Sequence, residues 1–218
     1  MPDSPPLPSR TALVRVPVVL TFVVLAVRLI GEHLGWDPRF FPREGGPTLS
    51  PVGIWVLIPI VGFVQGFVVA GSGHAPDRPG LALLLHGLGA VFLAAAMVIA
   101  TETLEWPMQP VAAGIGALLA LAFAWRAWPE LLRYGFAYGL WTRLGVTAVT
   151  IAAVLLGWGT HLEQVSAESG VTTTQDRLLL LASVQLLFWL PATVVIGGAA
   201  GSIAAILRGR RSDDAIDE

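Results

Sequence analysis

Cysteine, lysine and asparagine are all absent from this chain of 218 residues. Without cysteine there is no disulfide framework, no thiolate metal ligand and no cysteine nucleophile. Without lysine no Schiff base can form, which excludes a retinal-type pigment. Without asparagine there is no acceptor for N-glycosylation. Charge is scarce too. Only 13% of the residues are Asp, Glu, Lys or Arg, against about 25% in ordinary soluble domains. The net charge of −2 offers no basic surface for nucleic acid. Every basic residue is an arginine, and with Ala, Gly, Val and Leu dominant the composition fits a GC-rich bacterial genome.

What is abundant is apolar. Hydrophobic residues make up 55% of the chain. They gather in six stretches: Leu13–Ile30, Val52–Ala70, Leu81–Ala100, Val111–Ala124, Leu140–Trp158 and Leu178–Leu207. Each reaches or approaches the roughly 20 apolar residues that cross a hydrocarbon core of about 30 Å. The sequence predicts an all-α integral membrane protein, a bundle of six transmembrane helices over residues 11–207. Short cytoplasmic tails, 1–10 and 208–218, flank it. The first stretch exceeds the roughly 7–15 apolar residues of a secretion signal. The following Gly31–Asp37 segment lacks a small-x-small cleavage pattern, so this stretch reads as a retained span.

Arginine in short loops marks the cytoplasmic side. With the N-terminus inside, nine arginines fall on the inner side: Arg10, Arg15, Arg78, Arg126, Arg133, Arg143, Arg208, Arg210 and Arg211. Four fall outside: Arg28, Arg39, Arg43 and Arg177. This predicts a bacterial inner-membrane protein with both termini in the cytoplasm. Three of the four exceptions crowd the first outer loop.

Tryptophan favours the headgroup region, and Trp36, Trp106, Trp125, Trp128, Trp141 and Trp158 all fall near span ends. Between Trp125 and Trp141, the charged Arg126, Glu130 and Arg133 alternate with Trp128, Leu131, Leu132, Tyr134 and Phe136. That pattern predicts an interfacial amphipathic segment before the fifth span. The polar stretch Gln164–Asp176 reads as an exposed outer loop.

Three G-x-x-x-G pairs, Gly62 with Gly66, Gly135 with Gly139 and Gly197 with Gly201, offer close helix approach where lipid supplies no hydrophobic drive. Pro59 and Pro191 are expected to kink or open the second and sixth spans. Ionisable groups at membrane depth are costly, so each one marks a candidate site. On the fifth span Arg143, Thr147, Thr150, Val154, Gly157 and His161 recur at spacings of three and four, a polar and small stripe along one helix face. It would line a pathway or pack on neighbouring helices. Gln65 and His86 lie at similar depth on consecutive spans and form a candidate buried pair.

The outer rim gathers Arg28, Glu32, His33, Glu102, His161 and Glu163. Arg28 is expected to pair with Glu32 or Glu102 as the floor of a polar vestibule. No H-E-x-x-H spacing supports a metal there, and no motif names a cofactor. Neither a G-x-G-x-x-G nor a G-x-x-x-x-G-K-[ST] motif indicates a nucleotide site, and Gly71-Ser72-Gly73-His74 lacks the partners of a serine nucleophile.

Two functions from different classes stay open on this reading. The first is a membrane protein that binds or moves a small or lipidic molecule, or serves as the membrane subunit of an assembly. The second is a membrane-embedded enzyme with an acid/base or metal site at the outer interface. The first requires the lipid bilayer as partner and allows other membrane subunits or a second copy of the chain. The second requires His33 and His161 to meet.

Overall fold

The computed structural model describes residues 6–43, 53–165 and 169–214, with side chains described as far as residue 209. Val52 at the start of the second expected span, residues 166–168 of the polar loop, both chain ends and the side chains of Arg210 and Arg211 lie outside the described residues. Seven helices carry the fold: α1 (Val16–Leu34), α2 (Leu57–Val69), α3 (Pro79–Thr103), α4 (Gln109–Ala127), α5 (Pro129–Leu156), α6 (Thr174–Ser183) and α7 (Leu190–Asp214). No strand occurs among the described residues.

With their short π and 3-10 extensions these helices make six rods long and apolar enough to cross a membrane. The rods are Thr11–Leu34, Ile54–His74, Pro79–Thr103, Gln109–Ala127, Pro129–Leu156 and Thr174–Gly209. The shortest has 19 residues, about 28 Å at 1.5 Å per residue. α6 and α7 share one rod, joined through the π turn Val184–Trp189.

Local chemistry sets the ends. Pro79 and Pro129 open α3 and α5, where the missing N–H costs nothing. Gly35 and Gly157 adopt left-handed φ angles of 67° and 63° and close α1 and α5. Apolar side chains point outward along the rods, with Val19 at 63%, Leu118 at 71% and Leu156 at 69% exposure. Apolar surface on this scale suits contact with lipid.

α7 is the hub, packing on α2, α3, α4 and α5. Its seam with α2 is built from two of the glycine pairs. A Cβ placed on Gly62 would collide with the backbone of Gly197, and one on Gly66 with the backbone of Gly201. The two G-x-x-x-G pairs therefore face each other within one chain. The third pair is looser: a Cβ on Gly139 would lie 3.5 Å from the Thr193 side chain, an ordinary contact.

Several sequence expectations change here. The segment before the fifth span is not a separate interfacial helix. Its Trp125 and Arg126 end α4, and the part from Pro129 on forms the first turns of α5, which starts there and not at Leu140. Leu131, Tyr134 and Tyr138 turn inward at helical spacing, and Trp128 is fully buried with its indole N–H donating to the His74 carbonyl at 2.8 Å. Pro59 lies in the first turn of α2, directly after the 3-10 turn Ile54–Val56, so it opens a helix and breaks none. Pro191 follows the π turn, which takes up the irregularity. Arg143 is buried within α5 and Arg28 lies within α1, so neither is a loop charge, and the arginine count behind the orientation becomes eight against three.

Candidate functional site

Polar side chains concentrate in two places, one along the inward face of α5 and one where α1 meets the turn after α5.

In the α5 seam, Tyr138, Thr142, Arg143, Val146, Thr147, Thr150 and Ala153 recur at helical spacing and are all buried. The outward face carries Leu155 and Leu156, at 63% and 69% exposure. Thr142 and Thr147 satisfy their hydroxyls on the carbonyls of Tyr138 and Arg143, one turn back, at 2.8 and 2.7 Å. Thr150 does not; its hydroxyl is buried and unpartnered.

Arg143 sits near the middle of α5 and is 3% exposed. One terminal nitrogen donates to Thr193 Oγ1 at 3.1 Å, and the other reaches Gln185 Oε1 at a long 3.5 Å. The guanidinium carbon lies 5.2 Å from the centre of the Trp189 ring, within range of a cation–π contact. Nε is buried with no partner. No carboxylate pairs with Arg143 among the described residues.

The partners on the sixth rod, Gln185, Trp189 and Thr193, follow one another at intervals of four. The first two belong to the π turn, a type of irregularity frequent at functional sites. His161 is not part of this stripe. Gly157 ends α5, Gly159 takes a second left-handed φ of 66°, and the chain turns before His161.

That turn builds the second centre. Glu32 is 1% exposed. Its Oε1 accepts from Arg28 Nε at 2.9 Å, and its Oε2 from the backbone N–H of His161 at 3.1 Å. His161 Nδ1 lies 2.5 Å from Oε1, an ion pair when the ring is protonated. Arg43 reaches back with its Nε to the Glu32 carbonyl at 2.6 Å and with a terminal nitrogen to the His33 carbonyl at 3.1 Å. It thereby caps the last carbonyls of α1.

The structure thus brings Arg28, Glu32 and His161 together and leaves the rest of the expected rim apart. His33 is exposed on the next position of α1, and Glu102 is exposed at the end of α3. Glu163 accepts from the Thr160 N–H at 3.1 Å, capping the short 3-10 turn His161–Glu163. No group of three or more ligating side chains occurs among the described residues.

Gln65 and His86 do not pair. α7 packs on both α2 and α3, and each side chain finds its partner elsewhere. Gln65 donates to the Leu13 carbonyl at 2.7 Å, which Pro17, four residues on, has no N–H to reach. His86 Nδ1 lies 2.8 Å from the Ala82 carbonyl and 3.3 Å from Ser202 Oγ on α7. Its ring packs on Gly198, where a Cβ would collide with it.

Sequence reasoning missed the partners of Arg143. The signal was present in the i, i+4, i+8 spacing of Gln185, Trp189 and Thr193, hidden inside an apolar run. Comparison with protein-family models, curated proteins and solved structures finds no match to this chain.

Proposed function

We propose that this chain is a multi-pass protein of a bacterial inner membrane, with both termini cytoplasmic, that binds or moves a small or lipidic molecule. It does so alone or as the membrane subunit of an assembly. One observation supports this above all: a buried arginine near the middle of a membrane-length helix, with one nitrogen unpartnered and no carboxylate paired to it. A charge at such depth is expensive, and a ligand that brings a negative or strongly accepting group would offset the cost. One neutral hydroxyl, one amide and one indole ring surround it, which suits reversible contact better than a permanent ion pair.

The sign of a stability change tests this reading. Arg143→Met removes an unpaired buried charge and keeps an apolar side chain, so thermal stability in detergent is expected to rise. Mass spectrometry of the small molecules and lipids released from protein purified out of its native membrane is expected to show a compound retained by the wild type and lost from the variant. A lower melting temperature with an unchanged set of released molecules makes Arg143 a packing element and defeats the reading.

The orientation rests on the arginine bias. A reporter fused after Glu218 and another inserted within Gln164–Asp176 are expected to report opposite sides, the first of them cytoplasmic. An enzyme at the outer interface, the competing reading, would work through Glu32 and His161. Both Glu32 oxygens are already engaged, and His33 is exposed, which favours a structural role for that centre.

A further inference from the structure

We infer that the groove between the first and fifth rods is a binding site for an anionic phospholipid, its acyl chain lying along the groove and its phosphate held by Arg10 and Arg15. The groove encloses about 740 Å³. Its wall on the first rod passes from Arg10 and Arg15 at one end to Val18, Val19 and Phe22 further along. Its α5 wall is formed by Ala137, Trp141, Leu144 and Gly145. Polarity thus falls from cationic to wholly apolar along a single channel. That gradient matches a phospholipid's own axis, anionic head to hydrocarbon tail.

Three further observations favour this occupant. No acidic side chain lines the groove, and neither Arg10 nor Arg15 forms an ion pair among the described residues. Arg10 and Arg15 are five residues apart across the π turn Thr11–Arg15 and line the same groove, both exposed. Trp141, 61% exposed on the opposite wall and only two residues from Arg143, extends the apolar lining that an acyl chain would follow. A soluble anion would use the arginines but not the apolar walls. A neutral lipid would use the walls but not the arginines. The site does not depend on what Arg143 meets, and either reading can fail without the other.

The test is native mass spectrometry of the full chain after reconstitution in vesicles of equal parts phosphatidylglycerol and phosphatidylcholine. The wild type is expected to retain phosphatidylglycerol in preference by roughly 30-fold, from two arginines facing one anionic headgroup. Arg10→Ala with Arg15→Ala is expected to abolish the preference, while Arg126→Ala, an exposed arginine outside the groove, leaves it intact. Val19→Trp places a bulky ring into the groove from an exposed position and keeps both arginines; it is expected to lower phosphatidylglycerol retention at least fivefold. This second variant decides the matter even if the double variant fails to fold. Equal retention of the two lipids by the wild type, an unchanged preference without the arginines, or full retention in Val19→Trp overturns the proposal. So does displacement of the lipid by inorganic phosphate alone, which would reduce the groove to an anion site.

Discussion

The contact between α2 and α7 and the contact between α1 and α5 solve one problem by opposite means. Between α2 and α7 the backbones nearly touch, because Gly62 and Gly66 face Gly197 and Gly201 with no side chain between them. Between α1 and α5 the contact is sparse, and only Thr21, Leu25, Gly31 and Glu32 of α1 are buried. Hydrogen bonds pin the first rod at successive levels. Gln65 of α2 holds the Leu13 carbonyl at 2.7 Å, Tyr138 of α5 meets the Thr21 hydroxyl at 2.9 Å, and Glu32 takes the His161 N–H of the turn after α5 at 3.1 Å. In lipid, apolar side chains gain little by leaving one hydrocarbon for another. Helices there associate by shape or by polar latches. The glycine seam leaves no room, whereas latched rods touch locally, where Phe22 sits on Gly145, and leave a groove beside that contact.

Breaking the glycine seam should have the largest effect. Gly62→Leu drives a side chain into the Gly197 backbone, which cannot yield as a flexible side chain would. The expected loss is about 3 kcal/mol or more, read as a lower midpoint in a detergent unfolding titration and a lower yield. Gly135→Ala is the contrast. Its Cβ would come no nearer than 4.0 Å, to Val194 Cα, and a helix interior favours alanine over glycine by up to about 1 kcal/mol. A neutral or slightly stabilising result is expected. If the two substitutions behave alike, the seam is not closed by shape.

Much of this contrast was legible in the sequence. Six rods could be read because hydrophobic length is one-dimensional information, and the glycine pairs could be read because their spacing is fixed by helix geometry. Pairing between rods was harder. Gln65 and His86 share a depth, but depth does not say that α7 packs on the helices of both. The rim was half legible for a related reason. Arg28 and Glu32, one turn apart on one helix, could be joined on paper. That His161 would reach the same carboxylate depended on Gly157 and Gly159 turning the chain, and spacing alone had extended α5 past them.

The polar latch at Glu32 comes next in size. Its carboxylate is fully buried and serves Arg28 and the His161 backbone together. Glu32→Ala leaves a largely buried guanidinium and a backbone donor without their acceptor, at an expected cost of about 3 kcal/mol. Hydrogen exchange should then rise at α1 and the His161–Glu163 turn while α2 and α7 stay protected. A uniform rise across the bundle would mean that the first rod is not a separately latched element, and the comparison between the two contacts would lose its meaning.

The smallest effect belongs to the ion pair beside that latch, and it sharpens the contrast by being absent. Arg39 Nη2 lies 2.6 Å from Asp37 Oδ2, a shorter contact than the one between Arg28 and Glu32. Yet Arg39 is 82% exposed at its side chain and Asp37 40%. Water solvates both charges whether or not they meet, so the pair gains little from its geometry. The Arg39 guanidinium, hydrogen-bonded to Asp37, holds that carboxyl below its ordinary value of 3.8. Whatever the pair contributes is present above that value and fades as acid takes the pH down through the lowered one. Arg39→Ala is therefore expected to leave the unfolding midpoint at neutral pH unchanged, while Arg28→Ala lowers it clearly. Equal tolerance of both substitutions would reduce the Glu32 centre to an ordinary solvated rim, since burial is what separates two arginine–carboxylate pairs of nearly the same length.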